Sequence, residues 1–321
     1  MSGLRAAGPH EGGLGEGGRG HRDGGQDPLA GPSQFTDTAA GPRLAQVTGF
    51  TDRAALTAEL ELLAFRGWTA LRTETVDGWV LRDSDGATRR GNSVWPRGDV
   101  ASLPAALDAV DEFYAAAGRP AIVQLTPVSR PAGLRRALDV AGYEADSGPT
   151  DVCVADLAEV VVAAATGRGE VGLPRQPAAV PRIQLAGSPD ETWLDVCAGG
   201  GMSMFGAHRA ASVAVLAKIA TPAVYVTATV DAVPVGAGRG VVDGDWLGVY
   251  SIATLPAARR QGVGAAVVTA LASWGAAQGA RRIHLQVEET STAARRMYVA
   301  LGFLPVYRYT YRRRPLQRSA G

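Results

Sequence analysis

Lysine is almost missing from this chain: Lys218 is the single one among 32 cationic residues in 321, and the rest are arginine. A Schiff-base mechanism would therefore have one residue to use. With abundant Ala and Gly, the arginine excess reads as the coding bias of a GC-rich genome. Cysteine is scarce too. Cys153 and Cys197 are too few for a disulfide framework or a zinc site, and both read as buried small hydrophobes rather than nucleophiles. The four histidines, His10, His21, His208 and His284, show no ligand spacing, so no metal is expected. No apolar run approaches the ~18–20 residues that cross a bilayer. The N-terminus has no stretch like a signal peptide. A soluble, cytoplasmic protein is expected. Neither sign of charge dominates: the net charge is +1 with 20% charged residues, which excludes a strong global field toward nucleic acid or membrane.

Twelve of the 41 glycines fall in residues 1–44, with few large apolar side chains before Phe35. Such a segment buries too little apolar area to offset its ordering entropy, so a disordered tail is expected there. From 45 to 157 the pattern is that of a folded module. Leu56, Leu60, Leu63 and Ala64 have helical spacing ending near Gly67. Strand-like runs follow at 70–76 and 79–82, then a helix with Leu103, Leu107, Val110, Tyr114 and Ala117 on one face. A strand at 121–125, a helix at 132–140 and a strand at 152–157 complete the module. Residues 158–180 begin apolar, then become rich in Gly and Pro, and read as a linker. From 181 to 315 the pattern resumes. Helices are expected near 190–197 and 207–219, and strands at 223–230, 233–241 and 246–254. A strong helix at 262–277, a strand at 282–287, a helix at 292–301 and a strand at 303–311 follow. Strands and helices alternating in this way make an α/β or α+β layer fold.

The strongest chemical signal is the run from Ser251 to Gly264, where a strand passes through a short loop containing Pro256, Arg259, Arg260 and Gln261 into a helix beginning Gly262-Val263-Gly264. Val263, Ala266, Val267, Ala270, Leu271 and Trp274 fix the face that helix turns to a sheet. N–H groups at a helix start have no intrahelical partner and carry the positive end of its dipole. Glycine at 262 and 264 would let an anion approach the backbone, and Arg259 and Arg260 would add charge-assisted hydrogen bonds.

At these residues the chain resembles the GNAT superfamily of N-acetyltransferases. The family's pyrophosphate loop, Arg/Gln-x-x-Gly-x-Gly/Ala, is matched by Arg259, Gly262 and Gly264. Its A-x-x-x-Y-x-x-L-G-F segment is matched from Ala294 through Tyr298 to Leu301-Gly302-Phe303. The resemblance covers about 130 residues and departs at Ser291, where an asparagine is usual. It implies the acyl-CoA N-acyltransferase fold, with a mixed, mostly antiparallel sheet flanked by helices. It also implies acetyl-CoA as co-substrate, an amine acceptor and direct attack in a ternary complex. The loop from Arg259 to Gly264 and Ser291 would hold the cofactor, with backbone groups of Ala253 and Thr254 pairing with pantetheine in a gap between two splayed strands.

Tyr298 matches the family tyrosine that protonates the leaving sulfur; a core aromatic is the other reading. In the strand at 282–287, His284, Gln286 and Glu288 share one face. Glu288 is the candidate base acting through water, against a plain surface carboxylate, while His284 reads as structural. Trp193, Phe205, His208 and Arg209 lie where the family walls its acceptor site, although packing explains the two aromatics equally well. The halves also match each other at an offset of 160. Arg135-Arg136 and Gly142-Tyr143 fall on Arg295-Arg296 and Gly302-Phe303, and Pro96 falls on Pro256. In that register Arg259, Gly262, Gly264 and Tyr298 become Asp99, Ser102, Pro104 and Leu138. The chain thus resembles two-module GNAT proteins with one degenerate half. An acyl-CoA-binding regulatory module without turnover is the alternative. Nucleic-acid binding through Arg308, Arg312, Arg313, Arg314 and Arg318 lacks a recognition motif.

Overall fold

A computed structural model of the protein describes residues 40–166 and 180–316. Helix α1 (Ala40–Thr48) leads into α2 (Arg53–Gly67), whose first turn is capped by Asp52 accepting the Ala54 N–H at 2.8 Å. The hairpin β1 (Arg72–Val76) and β2 (Trp79–Asp83) pairs onward to the short β3 (Trp95–Pro96). Helix α3 (Leu103–Ala116), β4 (Ala121–Leu125), α4 (Leu134–Val140), β5 (Glu144–Ala145), β6 (Thr150–Asp156) and α5 (Leu157–Ala165) follow.

Beyond the second described boundary come β7 (Arg182–Ala186), α6 (Glu191–Gly199), α7 (Ser203–Gly206) and α8 (Arg209–Ala217). The meander β8 (Ala223–Val230), β9 (Val233–Asp243) and β10 (Trp246–Thr254) leads to α9 (Val263–Ala277). The chain closes with β11 (Arg282–Glu288), α10 (Thr292–Ala300) and β12 (Leu304–Arg314).

Nine strands form one sheet in the order β4-β12-β6-β11-β10-β9-β8-β7, with β5 also pairing β12. Strands β7 to β10 are antiparallel neighbours, and β10 to β11 is parallel because α9 carries the chain back across the sheet. Helices α5 and α9 cover one face, where Val263, Val267, Val268 and Leu271 meet Leu247, Val249, Ile283 and Leu285. On other surfaces α1 and α2 pack Leu44, Val47, Leu56 and Leu60 on β6 and β12, while α6 and α8 bury Trp193, Val196 and Val215 against Tyr225 and Ala237. At about 2 kcal/mol for each such side chain removed from water, these clusters supply the main stabilising term.

The division expected at 158–180 is not a break in the sheet. Strand β6 stands between β11 and β12, and β12 pairs β6 through Leu304–Tyr309 and β4 through Thr310–Arg314. A buried carboxylate ties the same junction: Asp151 on β6 takes Arg295 of α10 at 2.9 Å and Arg308 of β12 at 2.9 Å. Three local expectations also change. Residues 40–44, assigned to the tail, open α1, because Leu44 and Val47 together give it an apolar face; residues 1–39 lie outside the described residues. The start of the linker is helix α5, since Val160 and Ala163 are buried beneath α9; residues 167–179 lie outside the described ones. Strand β7 was not anticipated, because it is a largely exposed edge without a clear alternation.

Three arginines of β12 are engaged within the fold, Arg308 with Asp151 and Glu289, Arg312 with Asp139, and Arg314 with Asp111, while Arg313 is exposed. Arg318 lies outside the described residues. Among the described residues, no helix is long and apolar enough to cross a membrane.

Candidate active site

Strands β10 and β11 are paired only from Trp246–Val249 to Arg282–Leu285, and then diverge. At the point of divergence β10 bulges: its register with β9 shifts between Tyr250 and Ala253, and Ser251 takes φ +54°. A signal for this existed. Leu247, Val249 and Ile252 all pack on the α9 side, so the apolar spacing changes from two to three at the extra residue. The edge of β10 from Tyr250 onward is therefore open on the side that β11 has left. Ala253 and Thr254 keep their β9 partners and present the opposite edge to the gap.

Past β10, a single 3-10 turn (Pro256–Ala258) leads into α9. Gly262 caps that helix in the left-handed conformation, φ +78°, and the first N–H accepted at its start is that of Ala266, by the Gly262 carbonyl at 3.0 Å. The N–H groups of the preceding turn face no intrahelical acceptor. The two glycines serve different ends. A Cβ on Gly262 would touch nothing within 4 Å, so glycine is needed there for its backbone angle; a Cβ on Gly264 would lie 3.3 Å from the Met297 sulfur, so that glycine sets how closely α9 approaches α10.

This turn floors a cleft of about 840 Å³ lined by Ile252, Ala253, Thr254, the loop from Ala258 to Ala265 without Gln261, and Thr290 to Tyr298 without Arg295. Arg259, Arg260 and Arg296 stand around it, and among the described residues no acidic side chain lines it. Arg259 also braces the loop, reaching the carbonyls of Thr254 at 3.4 Å and Gly200 at 3.2 Å. Gln261 is not on the cleft lining; its side-chain amide donates to the Ala257 carbonyl at 3.0 Å. Ser291 caps α10 without a side-chain hydrogen bond to that helix and borders the cleft.

A second cavity, about 320 Å³, opens from the same gap on the other side of Tyr298. Ile252, Ser291, Ala294 and Tyr298 line both. Its walls come from both halves of the chain: Trp68, Thr88 and Arg90 from the first, and Met202, Met204, Tyr250, Gln286 and Glu288 from the second. Arg90 is held by the buried Glu61 at 3.3 Å, which also accepts from Gln124 at 2.9 Å and from the Tyr307 hydroxyl. Sequence reasoning missed Arg296 on the first cleft, and Trp68, Arg90 and Gln286 on the second. Trp68 and Arg90 lie in irregular segments with no periodic signature, and only the fold brings them here.

Tyr298 is buried, edge-on to Phe303 at 5.5 Å, and burial together with Cys153 pushes its hydroxyl above the usual phenol range. Glu288 is an exposed residue at the rim, 4.0 Å from Arg89. His284 is fully enclosed between Trp246 and Tyr250, and burial, reinforced by the charge of Arg90, lowers its pKa to about 3. It is a neutral packing residue in the working range. The acceptor wall proposed around Trp193, Phe205, His208 and Arg209 is not found. Trp193 and Phe205 are core, Arg209 binds Asp195 and Glu191, His208 approaches Gly86, and Met202 and Met204 line the cavity instead. Lys218 donates to the carbonyls of Ala70 and Leu71 at 3.0 and 2.8 Å, and so joins the two halves. Cys153 and Cys197 are buried, with burial raising the Cys153 thiol to about 12 and the Cys197 thiol higher still.

Comparison with known proteins agrees with this fold. The profile of a family described as "Probable histone acetyltransferase Rv0428c C-terminal" matches residues 55–312. A Bacillus subtilis protein called "Uncharacterized N-acetyltransferase YobR" is 26% identical over 258 residues, covering 79% of this chain and 97% of that protein. The solved structure of a GCN5-related N-acetyltransferase from Kribbella flavida superposes with a TM-score of 0.55 at 20% identity, over 82% of this chain and 95% of that one. A tandem GNAT protein from the clavulanic acid biosynthesis pathway gives 0.51 at 14% identity, over 67% and 70%. At these identities the two structures speak for the fold, whereas the profile spans most of the chain and both halves. The chain belongs to the Rv0428c C-terminal acetyltransferase family and is a GNAT acetyltransferase.

Proposed function

We propose that the protein moves an acetyl group from acetyl-CoA to a primary amine, with the large cleft as cofactor site and the inner cavity as acceptor site. The observation that carries this is the meeting of the two cavities at Ile252, Ser291, Ala294 and Tyr298, in the gap between diverging strands. The cleft fits the group. The backbone of Gln261, Gly262, Val263 and Gly264 would take the diphosphate, with Arg259, Arg260 and Arg296 adding charge. The open edge of β10 at Ala253 and Thr254 would pair with the pantetheine amides, and Ser291 would close the opposite side. Bound there, acetyl-CoA supplies an activated acyl carbon.

Tyr298 then acts as donor. With its pKa raised by burial it stays protonated at working pH, and it gives a proton to the sulfur as the carbon–sulfur bond breaks. Glu288, through water, takes the proton that the amine sheds as its nitrogen bonds to the acyl carbon. Backbone groups at the bulge polarise the carbonyl. The first half is, in this reading, a GNAT-like copy that has lost its cofactor loop. Adding 160 to α3 gives 263–276, against α9 at 263–277, and the Tyr143 N–H to Leu138 carbonyl bond recurs as Phe303 to Tyr298. Asp99 is paired with Arg130, and Ser102 caps α3 where the second half has Gly262.

Calorimetry with CoA, followed by thiol release from acetyl-CoA across an amine panel, tests the reading. The panel includes lysine peptides, because the matched family is described through a probable histone acetyltransferase. Tight CoA uptake with no thiol release from any amine would instead favour a binding module without turnover.

A further inference from the structure

Four buried hydrogen-bond donors on three residues lining the inner cavity have no partner among the described residues: Trp68 Nε1, Arg90 Nε and Nη2, and Gln286 Nε2. No side-chain acceptor on that lining is in the same state. Each of these atoms has almost no accessible surface, and a buried donor left unpaired is destabilising by about 1–3 kcal/mol, and more when charged, so a slight turn of these side chains toward an oxygen acceptor in the cavity is favoured. Arg90 is nine-tenths buried, and its side chain is fixed by Glu61 on one side and by the ring of Tyr309 at 4.9 Å on another.

The charge balance points the same way. Behind Trp68 and Tyr250 lies Arg239, fully buried, its guanidinium 5.3 Å and 4.6 Å from their ring centres. It donates to the Gly67 carbonyl at 2.8 Å and has no carboxylate within salt-bridge distance among the described residues. Arg82, also buried, is bound by the neutral Ser93 and Gln124. Of these three guanidiniums only Arg90, on the cavity lining, has a carboxylate partner among the described residues, Glu61, and the charges of Arg82 and Arg239 stand behind the wall without one. Among the described residues, the only carboxylate on the cavity lining is Glu288, which is exposed.

Resting on the transferase reading above, we propose that the acceptor is a small amine that itself carries a carboxylate. Trp68, Arg90 and Gln286 hold the carboxylate on the inner wall, and the amino group is presented toward Glu288 and Tyr298. A cavity of about 320 Å³ holds on the order of ten water-sized volumes, which suits an amino acid or a similarly compact acid rather than a large polyamine. The first half of the chain thereby supplies specificity, since Trp68 and Arg90 both belong to it.

The test uses the full chain and sets α-amino acids and short linear ω-amino acids beside their own carboxamides, with lysine peptides as the uncharged-terminus control. Two readouts are taken: thiol release from acetyl-CoA, and calorimetric binding of the amine to the protein saturated with CoA. The acid is expected to exceed its amide by about tenfold or more in kcat/KM and in affinity, the worth of one charge-assisted hydrogen bond. Gln286→Glu keeps the side chain's size and an acceptor for the Tyr309 hydroxyl, 3.3 Å away, but places a negative charge on the wall. It should erase that preference without changing CoA affinity or thermal stability. Trp68→Phe removes one donor, keeps a ring against Arg239, and should lessen the preference several-fold. Acids no better than amides, peptide lysines as the best acceptors, or selectivity untouched by Gln286→Glu (the donors then being filled by water) would each overturn the proposal. Thiol release from uncharged amines alone leaves the transferase reading standing and removes this one. Carboxylates that bind selectively without any thiol release do the reverse, keeping the carboxylate site and removing turnover.

Discussion

Gly262→Ala separates the two tasks of the loop. The added Cβ has no neighbour within 4 Å, so the substitution introduces no clash in the free protein. What remains is the backbone angle, φ +78°, which disfavours alanine by roughly 1–2 kcal/mol. For a domain of this size that lowers the melting temperature by about 2–6 °C. If the helix start holds a diphosphate, the methyl group also stands where the anion meets the backbone, and either it or a shifted loop removes at least one charge-assisted hydrogen bond. At about 1.5–3 kcal/mol for such a bond, the Kd for CoA should rise by about tenfold to a hundredfold. Differential scanning fluorimetry and calorimetry on one sample read the two effects separately. Gly264→Ala is the control: its Cβ comes nearest to the flexible Met297 side chain, at 3.3 Å, with the Thr254 hydroxyl at an ordinary 3.8 Å, so stability should move little. A Gly262→Ala protein that melts lower yet takes up CoA as tightly as the parent would refute the idea that these amides carry the phosphates.

Tyr298→Phe should lower kcat by about a hundredfold with little change in KM for acetyl-CoA; equal turnover in steady-state assays removes its role as acid. Asp151→Ala takes the shared carboxylate from Arg295 and Arg308, while Arg308 keeps Glu289, and should destabilise the protein by about 1–3 kcal/mol, read in urea titrations. His284 gives a pH dependence of defined sign. Its pKa is about 3 in the folded protein, below the ordinary 6.5, so the unfolded chain binds the proton more readily. Stability is full above about pH 6.5 and is lost as the pH falls toward 3; His284→Phe should flatten that slope in melting curves taken across the range.

Helix α9 was legible because six apolar positions repeat at helical spacing, and the loop before it because Arg259, Gly262 and Gly264 stand at spacings a phosphate turn requires. Apart from the two-residue β3 and the short α7, the helices and strands from α2 to α4 and from α6 to β12 followed from the same local periodicities. What was not legible is what no local period encodes. Strand β6 has ordinary strand character, and nothing within Thr150–Asp156 says that its neighbours are β11 and β12, more than a hundred residues later. Helix α5 was hidden by the Gly/Pro-rich sequence after it. Trp68 follows the end of α2, and Arg90 sits in a short 3-10 turn, Arg90–Asn92; each looked like loop until the halves closed around the inner cavity. His284 shares a strand face with Gln286 and Glu288, yet only packing tells the enclosed imidazole from the carboxylate at the rim.

On the proposed reading of the first half as a degenerate copy, the placement of β6 gives a reason for that half to persist. Each residue of β11 from Arg282 to Glu288 has its partner in β6, and β12 is one unbroken strand shared between β6 and β4. Take the first half away and β11 loses a full edge of pairing, β12 loses a partner along its whole length, and Arg295 and Arg308 lose Asp151. Replacing Arg, Gly and Tyr by Asp99, Ser102 and Leu138 removes none of this, because those positions lie on the loop and helix rather than on the exchanged strands. On that reading, chemistry can be lost from one copy while its strand, and the wall bearing Trp68 and Arg90, stay under the constraint of folding the other.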